Sequence, residues 1–154
     1  MRSDRWYTVA ADRRRVWAAF TATDRYRQWW PWLAEFDGGP LARGARWHCA
    51  VSPPLPYVVR FTLTLVAVEP SRSIRALVEG DITGAATLDL VDDSDLEGAT
   101  CRIHLRSELT PTNPLLRLVA ASATAVVQRG HDWVLDTGAR QFRDVAALRL
   151  PGPG

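Results

Sequence analysis

The spacing of the apolar residues changes from a period of two to a period of 3.6 near residue 112, and this change constrains the fold more than any other feature of the chain. Before it, Trp47, Cys49 and Val51 alternate with Arg46, His48 and Ala50. Tyr57, Val59, Phe61, Leu63 and Leu65 then alternate with Arg60, Thr62 and Thr64. Ile74, Ala76 and Val78, then Ala86, Leu88 and Leu90, then Cys101, Ile103, Leu105 and Leu109 continue the pattern. Successive side chains of a strand point to opposite faces, so each run reads as a strand with one buried face. After the change, Asn113 can cap a helix and Pro114 suits its first position. At 100 degrees per residue, Leu116, Val119, Ala123, Val127, Gly130, Val134, Thr137 and Gln141 fall on one stripe. A strand meander followed by one long amphipathic helix predicts a sheet that curves to cover the helix. Sheet and helix touch fully only along a line, and the space beside that line is where a cavity belongs.

The N-terminal part adds smaller elements. Trp6 to Val9 reads as a short strand, and Asp12 to Thr21 as a helix with Val16, Trp17, Ala19 and Phe20 at helical spacing. Arg13, Arg14 and Arg15 spread around that helix as a solvated face. Asp24 is placed to cap a second short helix that runs to Trp29-Trp30, where Pro31 stops it. Gly38-Gly39-Pro40 and Gly44 punctuate the chain, Ser52 to Pro56 reads as a loop, and Gly80-Asp81 as a turn. The acidic stretch Asp92-Asp93-Ser94-Asp95 lacks the glycine and glutamate spacing of a calcium loop and reads as a solvated turn. The expected fold is α+β: a curved antiparallel sheet of about six to seven strands around a long C-terminal helix, with two short helices near the N-terminus. One domain is expected over residues 1–150, with 151–154 as a disordered tail.

Nothing in the charge pattern recruits a charged partner. All 19 basic residues are arginine, they are scattered, and 17 acidic residues leave a net charge of +2. The concentrated basic surface of a nucleic-acid binder is missing. No run approaches the roughly 20 uncharged apolar residues of a membrane span. Met1-Arg2-Ser3-Asp4-Arg5 opens without the apolar segment of a signal peptide, so a cytoplasmic protein is expected. Cys49 and Cys101 sit among apolar neighbours and read as reduced core thiols. The histidines, His48, His104 and His131, fall on separate elements and predict no metal site.

The strand parities send Arg60, Arg102, His104, Arg106 and Glu108 outward. Trp47, Cys49, Tyr57, Phe61, Ser107, Thr137 and Gln141 stay inside, as a greasy pocket with a few hydrogen-bonding groups. Arg75, Glu79 and Asp81 reach the rim only if a bulge reverses the parity. His131 lies about 70 degrees from the centre of the helix stripe and reaches the pocket edge. Three roles are open to it: a structural histidine, a ligand contact, or a proton-transfer group, for which imidazole has a suitable pKa. Asp132 faces elsewhere on the helix and cannot orient His131. Trp29, Trp30 and Trp32 cluster where the second helix would close the cavity mouth. They read either as core filler or, for Trp30 and Trp32, as a lid stacking on a planar ligand and hinged at Gly38-Gly39. Gly130 and Gly138 on the inward stripe cost about 1 kcal/mol each relative to alanine and leave room there.

Val16-Trp17, Trp29-Trp30-Pro31, Gly80-Asp81 with Gly84, and His131-Asp132-Trp133-Val134 followed by Gly138 occur in an order and spacing that resemble the SRPBCC superfamily, the START and Bet v 1-like helix-grip proteins. Within it, the chain is similar to the bacterial polyketide cyclase/dehydrase-like members. It carries Gly130 and Val134 where similar bacterial sequences often have asparagine and methionine. The resemblance implies a cavity for a lipid, polyketide or aromatic compound, and no particular reaction, since members of one fold differ in activity. The leading expectation is binding or carriage of a small hydrophobic ligand by a monomer or homodimer, with Trp30, Trp32, Trp47, Tyr57, Phe61, His131, Thr137 and Gln141 against it. One alternative is a polyketide aromatase/cyclase or dehydratase that uses His131 or Tyr57 as acid/base and no cofactor. The other is a protein-interaction module, marked by an exposed apolar patch.

Overall fold

The computed structural model describes residues 2–52, 58–92, 100–122 and 124–148. The period-two runs become β3 (Arg46–Val51), β4 (Val59–Glu69), β5 (Ser73–Gly80), β6 (Ile82–Asp92) and β7 (Cys101–Pro111), each antiparallel to the next. β1 (Arg2–Val9) and β2 (Leu33–Asp37) form the edges, and the described strands make one seven-stranded sheet in the order β1-β7-β6-β5-β4-β3-β2. β1 begins at Arg2 and not at Trp6. β2 is an element the alternation does not announce: a register shift between Leu33 and Glu35 leaves Leu33 and Phe36, three residues apart, both packed on the core.

Between the two edges the chain forms α1 (Arg13–Thr21), capped by Asp12, whose carboxylate accepts a hydrogen bond from the Arg15 amide at 2.9 Å. The second helix is shorter than expected. A 3-10 turn covers Thr23–Arg25 and only Tyr26–Trp29 is α-helical (α2), so Asp24 lies inside the turn and caps nothing. The 3.6-period region forms α3 (Pro114–Ser122) and α4 (Thr124–Leu148), on either side of residue 123. Asn113 caps it as the spacing predicts, accepting from the Leu115 amide at 2.9 Å. Leu116, Gly130 and Thr137 are buried on the expected stripe, while Val119, Ala123 and Val127 lie outside the described side chains. The face that meets the sheet also includes the adjoining row of His131, Leu135, Gly138 and Phe142. Phe142 is only 2% exposed and stacks on Phe20 at 4.3 Å, which displaces the centre of the face toward that row.

Curvature comes from a bulge in β4 between Leu65 and Ala67 and from two close backbone crossings. A Cβ on Gly80, where φ is +139°, would lie 2.6 Å from the Arg60 carbonyl oxygen; one on Gly84 would lie 1.9 Å from that of Glu108. The bulge does not touch the parity of β5: Ala76 and Val78 are buried, and Arg75 and Glu79 stay exposed on the outer face. Asp81 is held as a structural pin. Its carboxylate accepts from the Arg60 amide at 2.9 Å and the Asn113 side-chain amide at 3.0 Å, and its carbonyl accepts from the Thr112 amide at 2.8 Å. It thereby ties β4, the β5–β6 turn and the start of α3 together. One core cluster gathers Val9, Val16, Phe20, Cys101 and Phe142, and another gathers Tyr26, Trp47, Cys49 and Leu65. No described helix is long and apolar enough to cross a membrane.

Candidate functional site

Two cavities open between the concave face of the sheet and α4. The first, about 220 Å³, is walled by Phe61, Leu63, Val78, Ile82 and Leu109 from the strands, Leu116 from α3, and Gly130, His131 and Val134 from α4. The second, about 190 Å³, lies toward α1 and α2 and is walled by Tyr7, Phe20, Trp30, Trp32, Leu88 and Phe142 among others. Leu105, Val134 and Leu135 border both and form the partition. The walls are almost entirely apolar because the inward positions of β4 to β7 carry aliphatic residues and Phe61.

The polar side chains in the wall of the first cavity are Ser107 and His131, and they meet. Ser3 of β1 and Ser107 of β7 are direct cross-strand partners, so their side chains emerge side by side on the concave face. The His131 ring of α4 reaches between them, with Nδ1 3.0 Å from Ser3 Oγ and Nε2 3.3 Å from Ser107 Oγ. Ser3 Oγ also donates to Asp132 Oδ1 at 3.3 Å. Asp132 in turn pairs with Arg5 at 3.3 Å and accepts from the Gln128 side-chain amide at 3.0 Å. Asp132 thus does reach His131, at one remove, because a strand serine bridges two adjacent helix residues that point in different directions. Burial holds the His131 imidazole below its ordinary pKa, outweighing the opposite pull of Asp132. A neutral imidazole poised between two hydroxyls can orient a ligand group or move a proton.

The expected contacts separate into four groups. Phe61 and His131 line the first cavity, and Trp30 and Trp32 line the second. Both indoles are tied to α4: Trp30 Nε1 donates to the Gly138 carbonyl at 3.0 Å, and Trp32 Nε1 to Gln141 Oε1 at 2.9 Å. Gly138 makes this possible, since a Cβ there would stand 3.1 Å from the Trp32 ring. Trp47, Thr137 and Gln141 line neither cavity. Trp47 packs edge-on to Tyr26 and Phe36 in the core, its indole N–H meeting no acceptor among the described residues. Thr137 is buried and accepts from Arg140 at 3.4 Å, and Gln141 serves as the anchor of Trp32. Tyr57 lies outside the described residues.

Two residues at the site were not singled out from the sequence, Ser3 and Tyr7. Tyr7 borders the second cavity and donates to Asp136 Oδ1 at 2.9 Å; burial, then this bond, raises its phenol above the ordinary range. The signal was present, because carrying the alternation back from Val9 puts Tyr7, Arg5 and Ser3 on the same face. The outward histidines are occupied on the convex side: His48 meets Thr62 at 3.0 Å, and His104 bonds Asp4 at 2.6 Å and stacks on Trp6.

Fold and site together define a helix-grip protein with an apolar interior that ends in a small polar cluster. Residues 4–146 match the family described as polyketide cyclase / dehydrase and lipid transport, and the chain belongs to that family. By sequence, no curated protein matches it. Among solved structures, a protein of Thermus thermophilus is similar with a TM-score of 0.81 at 11% identity, over 98% of this chain and 100% of the other. The Zhui aromatase/cyclase of a Streptomyces species is similar at TM-score 0.77 and 12% identity, over 100% and 98%. Norcoclaurine synthase of Thalictrum flavum, solved with dopamine and hydroxybenzaldehyde, follows at TM-score 0.68 and 12% identity, over 98% and 88%. At these identities the likeness is one of fold.

Proposed function

We propose that this protein binds and carries a small hydrophobic molecule in the space between the sheet and α4. The observation that carries this reading is the pair of adjoining apolar cavities, about 220 and 190 Å³, which share Leu105, Val134 and Leu135 as a common wall. An apolar cavity of about 150 Å³ holds a benzene ring, so the first chamber has room for more than one ring. Phe61 and His131 touch the guest in the first chamber, and Trp30 and Trp32 offer flat faces to it in the second. Gln141 acts behind them, as the anchor of Trp32. The family description, which couples cyclase and dehydrase activity with lipid transport, supports a guest of lipid or polyketide type. The test is native mass spectrometry of protein purified from its own host, followed by denaturing extraction. A stoichiometric apolar molecule is the expected result. An empty protein whose melting temperature does not move across a panel of lipids and aromatic polyketides would refute the carrier reading.

One observation favours an enzyme as the second reading. His131, lowered in pKa by burial and set between two serine hydroxyls at the cavity wall, is equipped for acid/base work on a bound polyketide without a cofactor. Turnover of a polyketide-like substrate that is lost in His131→Ala while ligand binding persists would establish it.

A further inference from the structure

We propose that the polar end of the first cavity presents a hydrogen-bond acceptor, so that its ligand is an apolar molecule bearing a hydroxyl, an alcohol or phenol, in preference to an aldehyde, ketone or carboxylate. This deepens the ligand-binding reading and rests on it.

The argument is a count of protons. A carboxylate paired with an arginine only accepts, and Asp132 has Arg5 at 3.3 Å and the Gln128 amide at 3.0 Å. The hydroxyl of Ser3 has a single proton, and its contact with Asp132 Oδ1 at 3.3 Å requires that proton. The 3.0 Å contact of Ser3 Oγ with His131 Nδ1 must then be the other way round, with Nδ1–H donating to the serine oxygen. A neutral imidazole carries one N–H, so Nε2 holds a lone pair, and burial favours that neutral ring. At 3.3 Å from Nε2, Ser107 has to spend its own proton on the ring. What remains of Ser107 for the cavity is the lone pairs of its oxygen. The chain Ser107 to His131 to Ser3 to Asp132 therefore runs in one direction, and Ser3, which does not line the cavity, sets the polarity of the residue that does.

A guest hydroxyl completes this chain as its first donor. A guest carbonyl or carboxylate would set an acceptor against an acceptor in an apolar wall, which leaves both unsatisfied. The expected discrimination is about tenfold in Kd between guests that differ only in this group.

The experiment compares three probes of one shape, naphthalene, 2-naphthol and 2-naphthaldehyde, by calorimetric titration of the intact protein. The expected result is 2-naphthol binding about tenfold more tightly than 2-naphthaldehyde. Ser107→Ala is expected to lose the preference for 2-naphthol over 2-naphthaldehyde. Ser3→Ala is expected to release the His131 tautomer and narrow or reverse the preference, a shift that a residue with only a packing role would not produce. Equal affinity for the alcohol and the aldehyde in the unaltered protein overturns the proposal, whether or not either variant folds. So does a preference that survives Ser107→Ala. If naphthalene binds without discrimination, the cavity reading stands and this inference fails. If none of the three binds, the ligand site itself fails and the proposal with it.

Discussion

Truncating Leu105 should cost much less stability than truncating Leu65, although both changes remove the same three carbons. Loss of transfer free energy alone is about 0.8 kcal/mol per methylene, about 2.4 kcal/mol for either leucine if fully buried. The difference lies in the hole left behind. Leu65 is 1% exposed and packed into the cluster with Trp47 and Cys49, so Leu65→Ala opens a new void among close neighbours. Its cost belongs near the top of the range of about 2.7–5 kcal/mol seen for such truncations, roughly 4–5 kcal/mol. Leu105 already faces empty space on two sides, as part of the partition between the cavities. Its side chain forfeits fewer contacts, and Leu105→Ala should cost about 2 kcal/mol or less. Urea unfolding reads the gap as a difference in midpoint of about 1 M at an ordinary slope. Equal losses in the two variants, or a larger loss at Leu105, would mean that the space beside Leu105 is filled by protein and that the cavities do not exist.

His131 makes stability depend on pH. Burial lowers its pKa in the folded state, so as pH falls through about 6.5 the unfolded chain takes up a proton before the folded one, and stability present above that pH is lost toward the folded value. The melting temperature should therefore fall between about pH 7 and pH 5 more steeply in the unaltered protein than in His131→Gln, and identical slopes would contradict the shift. At Gly138 an added Cβ meets the Trp32 ring at 3.1 Å. Gly138→Val should therefore destabilise by about 1–3 kcal/mol and alter tryptophan emission as Trp30 and Trp32 leave the helix, while unchanged emission would show that the indoles are not seated on α4. Burial pushes the thiol of Cys49 up to about 12 and that of Cys101 up to about 11. Native protein at about pH 8 should leave a thiol reagent unconsumed for as long as urea-unfolded protein takes to react at both, and fast native labelling would contradict the burial.

The parts of this fold that were legible in the sequence are those where one period governs a long run. The alternation through Phe61, Leu63 and Leu65 marks the inward face of β4 because any slip of one residue would bury Arg60 and Thr62. β2 escaped because its bulge puts Leu33 and Phe36 on one face at a spacing that belongs to neither strand nor helix. The alternation marks only four residues of β1 because Arg2, Ser3, Asp4 and Arg5 carry no apolar signal, yet Ser3 and Arg5 share the concave face with Val9. That is why the cluster around His131 is only half visible in the sequence: Ser107 has inward parity, but its cross-strand partner Ser3 carries no strand signal. On the long helix, glycine, threonine and glutamine at Gly130, Thr137 and Gln141 leave the angular centre of the stripe loosely defined, and the stack of Phe142 on Phe20 decides it. Depth is the other quantity a period cannot supply. Trp47 and Phe61 have the same inward parity, but one packs within an aromatic cluster and the other faces open space.

The most direct test of the central claim, that apolar space lies between the sheet and α4, is a crystal structure of the protein under xenon pressure, since xenon enters apolar cavities. Xenon sites on both sides of the partition formed by Leu105, Val134 and Leu135 are predicted. Side chains closed across that space, with no xenon against Phe61 or Trp30, would contradict the account.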